Sequence, residues 1–293
     1  MLTQASFQCA ELTSPVEYAV LRPDGQEGQA LPLLYVLHGG GSSREYLKRV
    51  APMLERCWAD GTLPPVVAVT PTAPNQEPTG FRDTEARWEA ALIGSFLEHL
   101  RATYGLSRDR KFTMSCGPSM GGRMSLLLAM KHPELFAAAA ALAPGVQAVM
   151  EFAELDLREL FWLGPDALKE AYGTPEGAAV WRANNPAAIA RDQATRLREF
   201  DLALYLECGD RDSLGAHLGA EFLHRELFDR GISHEYRLVR GADHVGPSLE
   251  GRFRDALLFL GKSLAPPAPA DPALVAFQER VAKQKRAGLN PAR

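Results

Sequence analysis

The stretch Lys111-Phe112-Thr113-Met114-Ser115-Cys116-Gly117-Pro118-Ser119-Met120-Gly121-Gly122 constrains this chain more than any other. An apolar run turns sharply at Gly117-x-Ser119-x-Gly121 and continues into an apolar helical run, Arg123 to His132. A strand-to-helix turn this tight holds its central residue in a strained conformation, and side chains two positions before and after would collide. Glycine at both positions removes the collision because it has no Cβ. The pattern predicts an elbow that lifts the Ser119 hydroxyl to the N-terminus of the following helix. There the helix dipole and free N–H groups favour developing negative charge. A plain Gly-rich turn with a helix-capping serine is the simpler alternative. The flanking strand and helix, and the partner residues below, favour the elbow.

Short apolar runs recur along the chain: Leu33–Leu37, Val66–Thr70, Phe136–Leu142 and Leu202–Glu207, followed by a strand pattern over His234–Val239. Two short strands, Phe7–Leu12 and Val16–Leu21, are expected before them. Helical patterns fall between: Tyr46–Ala59, Thr84–Tyr104, Ala216–Arg230 and Pro247–Leu264. In the second, Trp88, Ala91, Leu92, Phe96 and Leu100 fall near helical spacing. This alternation predicts an α/β fold, a mostly parallel sheet of about eight strands with helices on both faces. Ligands of such sheets bind beyond the C-terminal strand ends, where the Gly-rich loops of this chain fall.

Residues 146–200 interrupt the rhythm and read as a lid-like insertion. Trp162 and Trp181 are its candidates for lining a substrate pocket; most of its aromatics read as local core. One domain is expected over 1–264. The stretch 265–293 reads as a Pro/Ala-rich linker and tail with a short basic helix over Phe277–Ala287.

Composition narrows the function classes. Net charge is -4, from 32 basic and 36 acidic residues, and no stretch is dominated by one sign. Neither a nucleic-acid footprint nor a polybasic membrane surface is present. Met1–Ala10 has no basic segment before an apolar one, and no run of 18 apolar residues occurs, so a cytoplasmic protein is expected. Cys9, Cys57, Cys116 and Cys208 are scattered without a C-x-x-C pair, which predicts neither zinc nor a disulfide framework.

A serine hydroxyl is a poor nucleophile at neutral pH and needs a base, an orienting acid and an oxyanion hole. Of seven histidines, His244 is the base candidate, in a loop with Gly241 and Gly246 after the strand His234–Val239. His99, His132, His217 and His224 fall on or at the ends of helices, His234 begins a strand, and His38 introduces a Gly-rich loop. Asp212 is the favoured acid, since Gly209-x-x-Asp carries it past the strand end; Asp210 is its rival. Asp243 is discounted because side chains adjacent in sequence diverge. The oxyanion hole is expected from the N–H of Met120 and one from His38-Gly39-Gly40-Gly41. Gly40 is preferred there and Gly41 is the alternative.

These residues carry a resemblance. The chain is similar to the α/β-hydrolase superfamily, and within it to the esterase group of esterase D, S-formylglutathione hydrolase and enterochelin-type esterases. The matching segments are His38-Gly39-Gly40-Gly41, Gly117–Gly122 with His132–Phe136, Gly209–Asp212, and Asp243-His244; Trp181–Pro186 also resembles a segment of these esterases. The order Ser119, Asp212, His244 is that of the superfamily triad. Ala143-Pro144-Gly145 departs from the Ser-Gly of many relatives. The resemblance spans about residues 15–264. It implies carboxylic-ester hydrolysis through an acyl-enzyme, with a small-molecule ester as partner and no metal or organic cofactor. An acyltransferase, thioesterase or peptidase would use the same triad, and a non-catalytic binding protein is the reading from another class. Oligomeric state, a homo-oligomer included, stays open.

Overall fold

A computed structural model of the chain describes residues 1–26, 29–73, 81–158, 164–264 and 271–286, with backbone alone at 81–85 and 285–286. The chain begins with an antiparallel pair, β1 (Leu2–Phe7) and β2 (Val16–Leu21). Strands and helices then alternate: β3 (Leu33–Val36), α1 (Tyr46–Ala59), β4 (Val67–Pro71), α2 (Phe81–Ile93) and α3 (Ser95–Tyr104). A 3-10 turn leads into β5 (Thr113–Pro118), α4 (Met120–Lys131) and β6 (Ala138–Leu142). Four helices follow: α5 (Pro165–Tyr172), α6 (Pro175–Ala183), α7 (Pro186–Asp192) and α8 (Ala194–Glu199). The rhythm resumes with β7 (Ala203–Gly209), α9 (Ala216–Asp229), β8 (His234–Val239), α10 (Leu249–Leu264) and α11 (Pro272–Arg286).

The eight strands form one sheet in the order β1-β2-β4-β3-β5-β6-β7-β8. The first two are antiparallel to their neighbours, and every pairing from β4 to β8 is parallel. This is the mostly parallel sheet with helices on both faces that the sequence pattern predicts. Alternation along the buried strands sorts side chains between two cores. Leu33 and Tyr35 of β3 face the core under α2, α3, α4, α7 and α9; Leu34 and Val36 face the core under α1 and α10. β6 is Ala-Ala-Ala-Ala-Leu, and its small side chains let α4 and α10 approach from opposite faces.

Two expectations near the N-terminal strands differ from the structure. The first strand is Leu2–Phe7 rather than Phe7–Leu12. Phe7 still pairs with Val16, and its ring stacks on His99 with centroids 3.9 Å apart. The chain then turns so that Glu11 Oε1 accepts from the Ser95 amide at 3.1 Å. That carboxylate fills the space where a side chain at 94 would go, 2.6 Å from a Cβ built on Gly94. The helix expected over Thr84–Tyr104 therefore breaks at Gly94 into α2 and α3.

Between β6 and β7, Phe152, Leu168, Ala171 and Tyr172 form a satellite cluster with Trp181 packed against it. α7 instead belongs to the main core, where Ala187–Ala190 are buried. Asn185 joins the two: its Oδ1 accepts from Ala187 at 2.9 Å and its Nδ2 donates to the Val149 carbonyl at 2.7 Å. α11 is longer than the helix expected over Phe277–Ala287 and is exposed along the residues described except at the half-buried Val281. Among the described residues no helix is long and apolar enough to cross a membrane. All four cysteines are buried and unpaired.

Candidate active site

The elbow is built by backbone proximity. Cβ atoms on Gly117 and Gly121 would lie 2.2 and 2.1 Å from the Leu37 carbonyl oxygen, so only glycine fits at either position. Ser119, between them, has φ 55°, a left-handed conformation that costs a non-glycine residue energy. Its amide donates to the Leu142 carbonyl at 2.8 Å, and its own carbonyl accepts from Arg123 at 3.0 Å and Gly145 at 3.1 Å. Three segments thus hold the strained turn, and Ser119 stands immediately before the first turn of α4.

Beyond β7 and β8, the acid and base loops are joined to each other. A Cβ on Gly209 would sit 2.2 Å from the Ala242 carbonyl oxygen. Asp210 Oδ1 accepts from the Gly241 amide at 2.6 Å, so the rival acid is committed to the backbone. Asp243 turns away from its neighbour's ring, and its Oδ1 accepts from the amides of Ser213 at 2.8 Å and His244 at 2.6 Å. Asp212 faces the imidazole: His244 Nδ1 lies 2.8 Å from Asp212 Oδ2. Asp212 Oδ1 accepts from Leu214 at 3.0 Å and Ala216 at 3.2 Å. Burial alone would raise the Asp212 carboxyl pKa. The hydrogen bond and charge of His244, with the Ala216 amide and the Cys208 thiol, outweigh it and hold the carboxyl below its usual range. An ionised Asp212 accepts, which assigns the hydrogen to His244 Nδ1 and leaves Nε2 with a free lone pair.

Ser119, Met120, Gly39, Gly40, Trp181 and His244 line one cavity of about 500 Å³. Gly41 is not among its lining residues, and Trp162 lies outside the described residues. The Gly40 amide has no chain partner among the described residues. Trp181 serves two environments, since it lines the cavity and packs edge-on against Phe152 and Tyr172 at 5.5 and 5.4 Å.

Two supporting groups went unread in the sequence. His38 is buried; its Nδ1 donates to the Gly39 carbonyl at 2.8 Å and its Nε2 accepts from Ala73 at 3.0 Å. Burial lowers its pKa, which favours the neutral ring this pattern needs. A histidine directly before three glycines was the available signal. The second is Arg252 on α10, buried against Glu207 and bonded to the Asp243 carbonyl at 2.7 Å. Nothing local in sequence marks that arginine. Among the described residues no group of three or more His, Cys, Asp or Glu is placed to hold a metal ion.

The whole arrangement has relatives. Residues 9–258 match the family described as "Putative esterase". A solved ferulic acid esterase superposes with TM-score 0.70 at 19% identity, covering 90% of this chain and 98% of its own. An S-formylglutathione hydrolase from Agrobacterium tumefaciens superposes with TM-score 0.69 at 19% identity, covering 90% and 96%. An S-formylglutathione hydrolase from Staphylococcus aureus does so with TM-score 0.65 at 16% identity, covering 89% and 99%. No curated protein sequence matches this one. At these identities the superpositions establish the fold. The family match spans most of the chain, and on that ground this protein belongs to the Putative esterase family and is a carboxylic-ester hydrolase of the α/β-hydrolase fold.

Proposed function

We propose that this protein hydrolyses small-molecule carboxylic esters through an acyl-enzyme formed on Ser119, with Asp212 and His244 completing the triad. Ser119 Oγ attacks the ester carbonyl carbon as His244 Nε2 takes its proton. The C–O bond to the alcohol breaks, and the same imidazolium protonates the departing oxygen. Water then repeats the attack on the acyl-enzyme, releasing the acid and restoring Ser119. Asp212 keeps the hydrogen on Nδ1 and stabilises the transient imidazolium. The Met120 N–H, in the first turn of α4 where no intrahelical partner exists, and the Gly40 N–H would receive the oxyanion. Gly40 is favoured over Gly41 because it lines the cavity.

The observation that carries this reading is the Asp212–His244 hydrogen bond at the wall of a cavity that Ser119 also lines. A fluorophosphonate probe followed by peptide mass spectrometry tests it. Label is expected on Ser119 in the parent and is expected to be absent in Ser119→Ala, together with loss of p-nitrophenyl acetate hydrolysis. Label elsewhere, or an active Ser119→Ala protein, refutes it.

A further inference from the structure

Arg49 lines the cavity from α1 and has no carboxylate partner among the described residues. The other cations of that helix are committed: Lys48 to Glu45 at 2.5 Å and Arg56 to Glu250 at 2.5 Å. Two further polar groups, the Tyr46 and Ser42 hydroxyls, line the same cavity without a hydrogen-bond partner among the described residues. Tyr46 and Arg49 are three positions apart, on one face of α1. The Tyr46 ring is held edge-on against Phe253 at 6.4 Å. Burial raises the Tyr46 phenol pKa and so keeps it a donor, and the Arg49 charge is close enough to act on it. No aspartate or glutamate is among the described lining residues. An exposed guanidinium without a carboxylate partner among the described residues, on a cavity that two hydroxyls also line, suits a carboxylate, which takes two parallel N–H bonds.

Position decides which half of the substrate would carry that charge. α1 runs beside the start of α10, joined by Tyr46–Phe253 and Arg56–Glu250. Val245 and Leu249, which follow His244 in the chain, line the cavity with Tyr46 and Arg49. His244 protonates the departing oxygen, so the alcohol lies on its side. The apolar Leu168, Tyr172 and Trp181 come to the same cavity from other elements, α5 and α6.

We propose that Ser42, Tyr46 and Arg49 form a carboxylate-binding subsite for the leaving alcohol, which makes esters of hydroxy acids the substrate class. The inference rests on the esterase reading above. Butyrate esters of ω-hydroxy acids of graded length, each paired with its uncharged carboxamide, test it. In the parent, kcat/KM should favour the acid over its amide by about ten- to a hundred-fold at the best length, through KM. That ratio should collapse toward one in Arg49→Ala, survive in part in Arg49→Lys, and fall in Tyr46→Phe. A parent with no acid preference, a preference that survives Arg49→Ala, or one that instead follows a carboxylate in the acyl half overturns it. Calorimetry of the hydroxy acids on Ser119→Ala protein reads the subsite without turnover: Arg49-dependent binding supports it, and no binding overturns it. A parent that takes no fluorophosphonate label sinks the esterase reading. Hydrolysis without charge preference sinks only the subsite.

Discussion

Arg252 Nη1 donates to the Asp243 carbonyl at 2.7 Å, while its Nε and Nη2 hold Glu207 Oε2 and Oε1 at 2.6 and 2.8 Å. One guanidinium thus connects the end of β7 to the residue before His244. Arg252→Met would leave Glu207 buried without its counter-charge or its two hydrogen bonds, and is expected to cost about 3–5 kcal/mol in urea unfolding. Glu207→Leu combined with Arg252→Met should recover much of that stability. A single variant within about 1 kcal/mol of the parent would remove Arg252 from this role.

Ser119 bears backbone strain that glycine would not. Ser119→Gly should raise stability by about 1 kcal/mol while abolishing fluorophosphonate labelling. Thermal and chemical unfolding of both proteins check this; a less stable variant would mean the turn is unstrained.

The two aspartates of the acid loop should separate cleanly. Asp212→Asn is expected to lower kcat about 10⁴-fold, because the amide no longer holds His244 in its tautomer. Asp210→Asn keeps an amide oxygen that can accept from the Gly241 N–H and should leave kcat within an order of magnitude. Steady-state kinetics with p-nitrophenyl acetate distinguish them, and the reverse ranking would make Asp210 the acid.

Glycines near the site differ in what a methyl group would meet. Gly121→Ala drives a Cβ into the Leu37 and His38 carbonyls and should cost at least about 2 kcal/mol. Gly40→Ala meets nothing within 4 Å and keeps its N–H, so it should fold and turn over normally. Gly40→Pro deletes that N–H, and kcat should fall about 10²–10³-fold. An active proline variant would point the oxyanion hole elsewhere.

His38 sets an acid limit. Its folded pKa lies below the ordinary value, so its contribution is present above about pH 6.5 and is lost as pH falls toward the folded value. His99 and His224 are shifted the same way. Urea unfolding at neutral and mildly acidic pH should therefore show a loss that shrinks in His38→Gln. An unchanged loss would mean the ring does not titrate in this window.

The elbow was legible because its glycines and serine are adjacent in sequence and the flanking runs are strongly apolar. α1 and β8 were legible as well: Tyr46–Ala59 and His234–Val239 occur as read. The break at Gly94 was not, since it depends on Glu11, eighty-odd positions upstream, reaching Ser95. β1 was misplaced because an edge strand buries little and alternates weakly. The bond from the Ser213 amide to Asp243 was not legible, since it depends on two loops meeting in space. Arg49 was invisible for a different reason: its place on the cavity wall, without a carboxylate partner among the described residues, is set by the fold.

Asn185 closes a loop of the chain with one side chain, holding Val149 beside the start of α7. The thirty-odd residues between leave and return at almost the same point, and β6 and β7 on either side are paired neighbours. Such a segment can be exchanged as a cassette: a graft joined at 149 and 185 inherits a ready-made anchor and leaves the strand ends bearing Ser119, Asp212 and His244 undisturbed. The part of the cavity lining that Leu168, Tyr172 and Trp181 provide can then be redesigned at the bench without moving Ser119, Asp212 or His244.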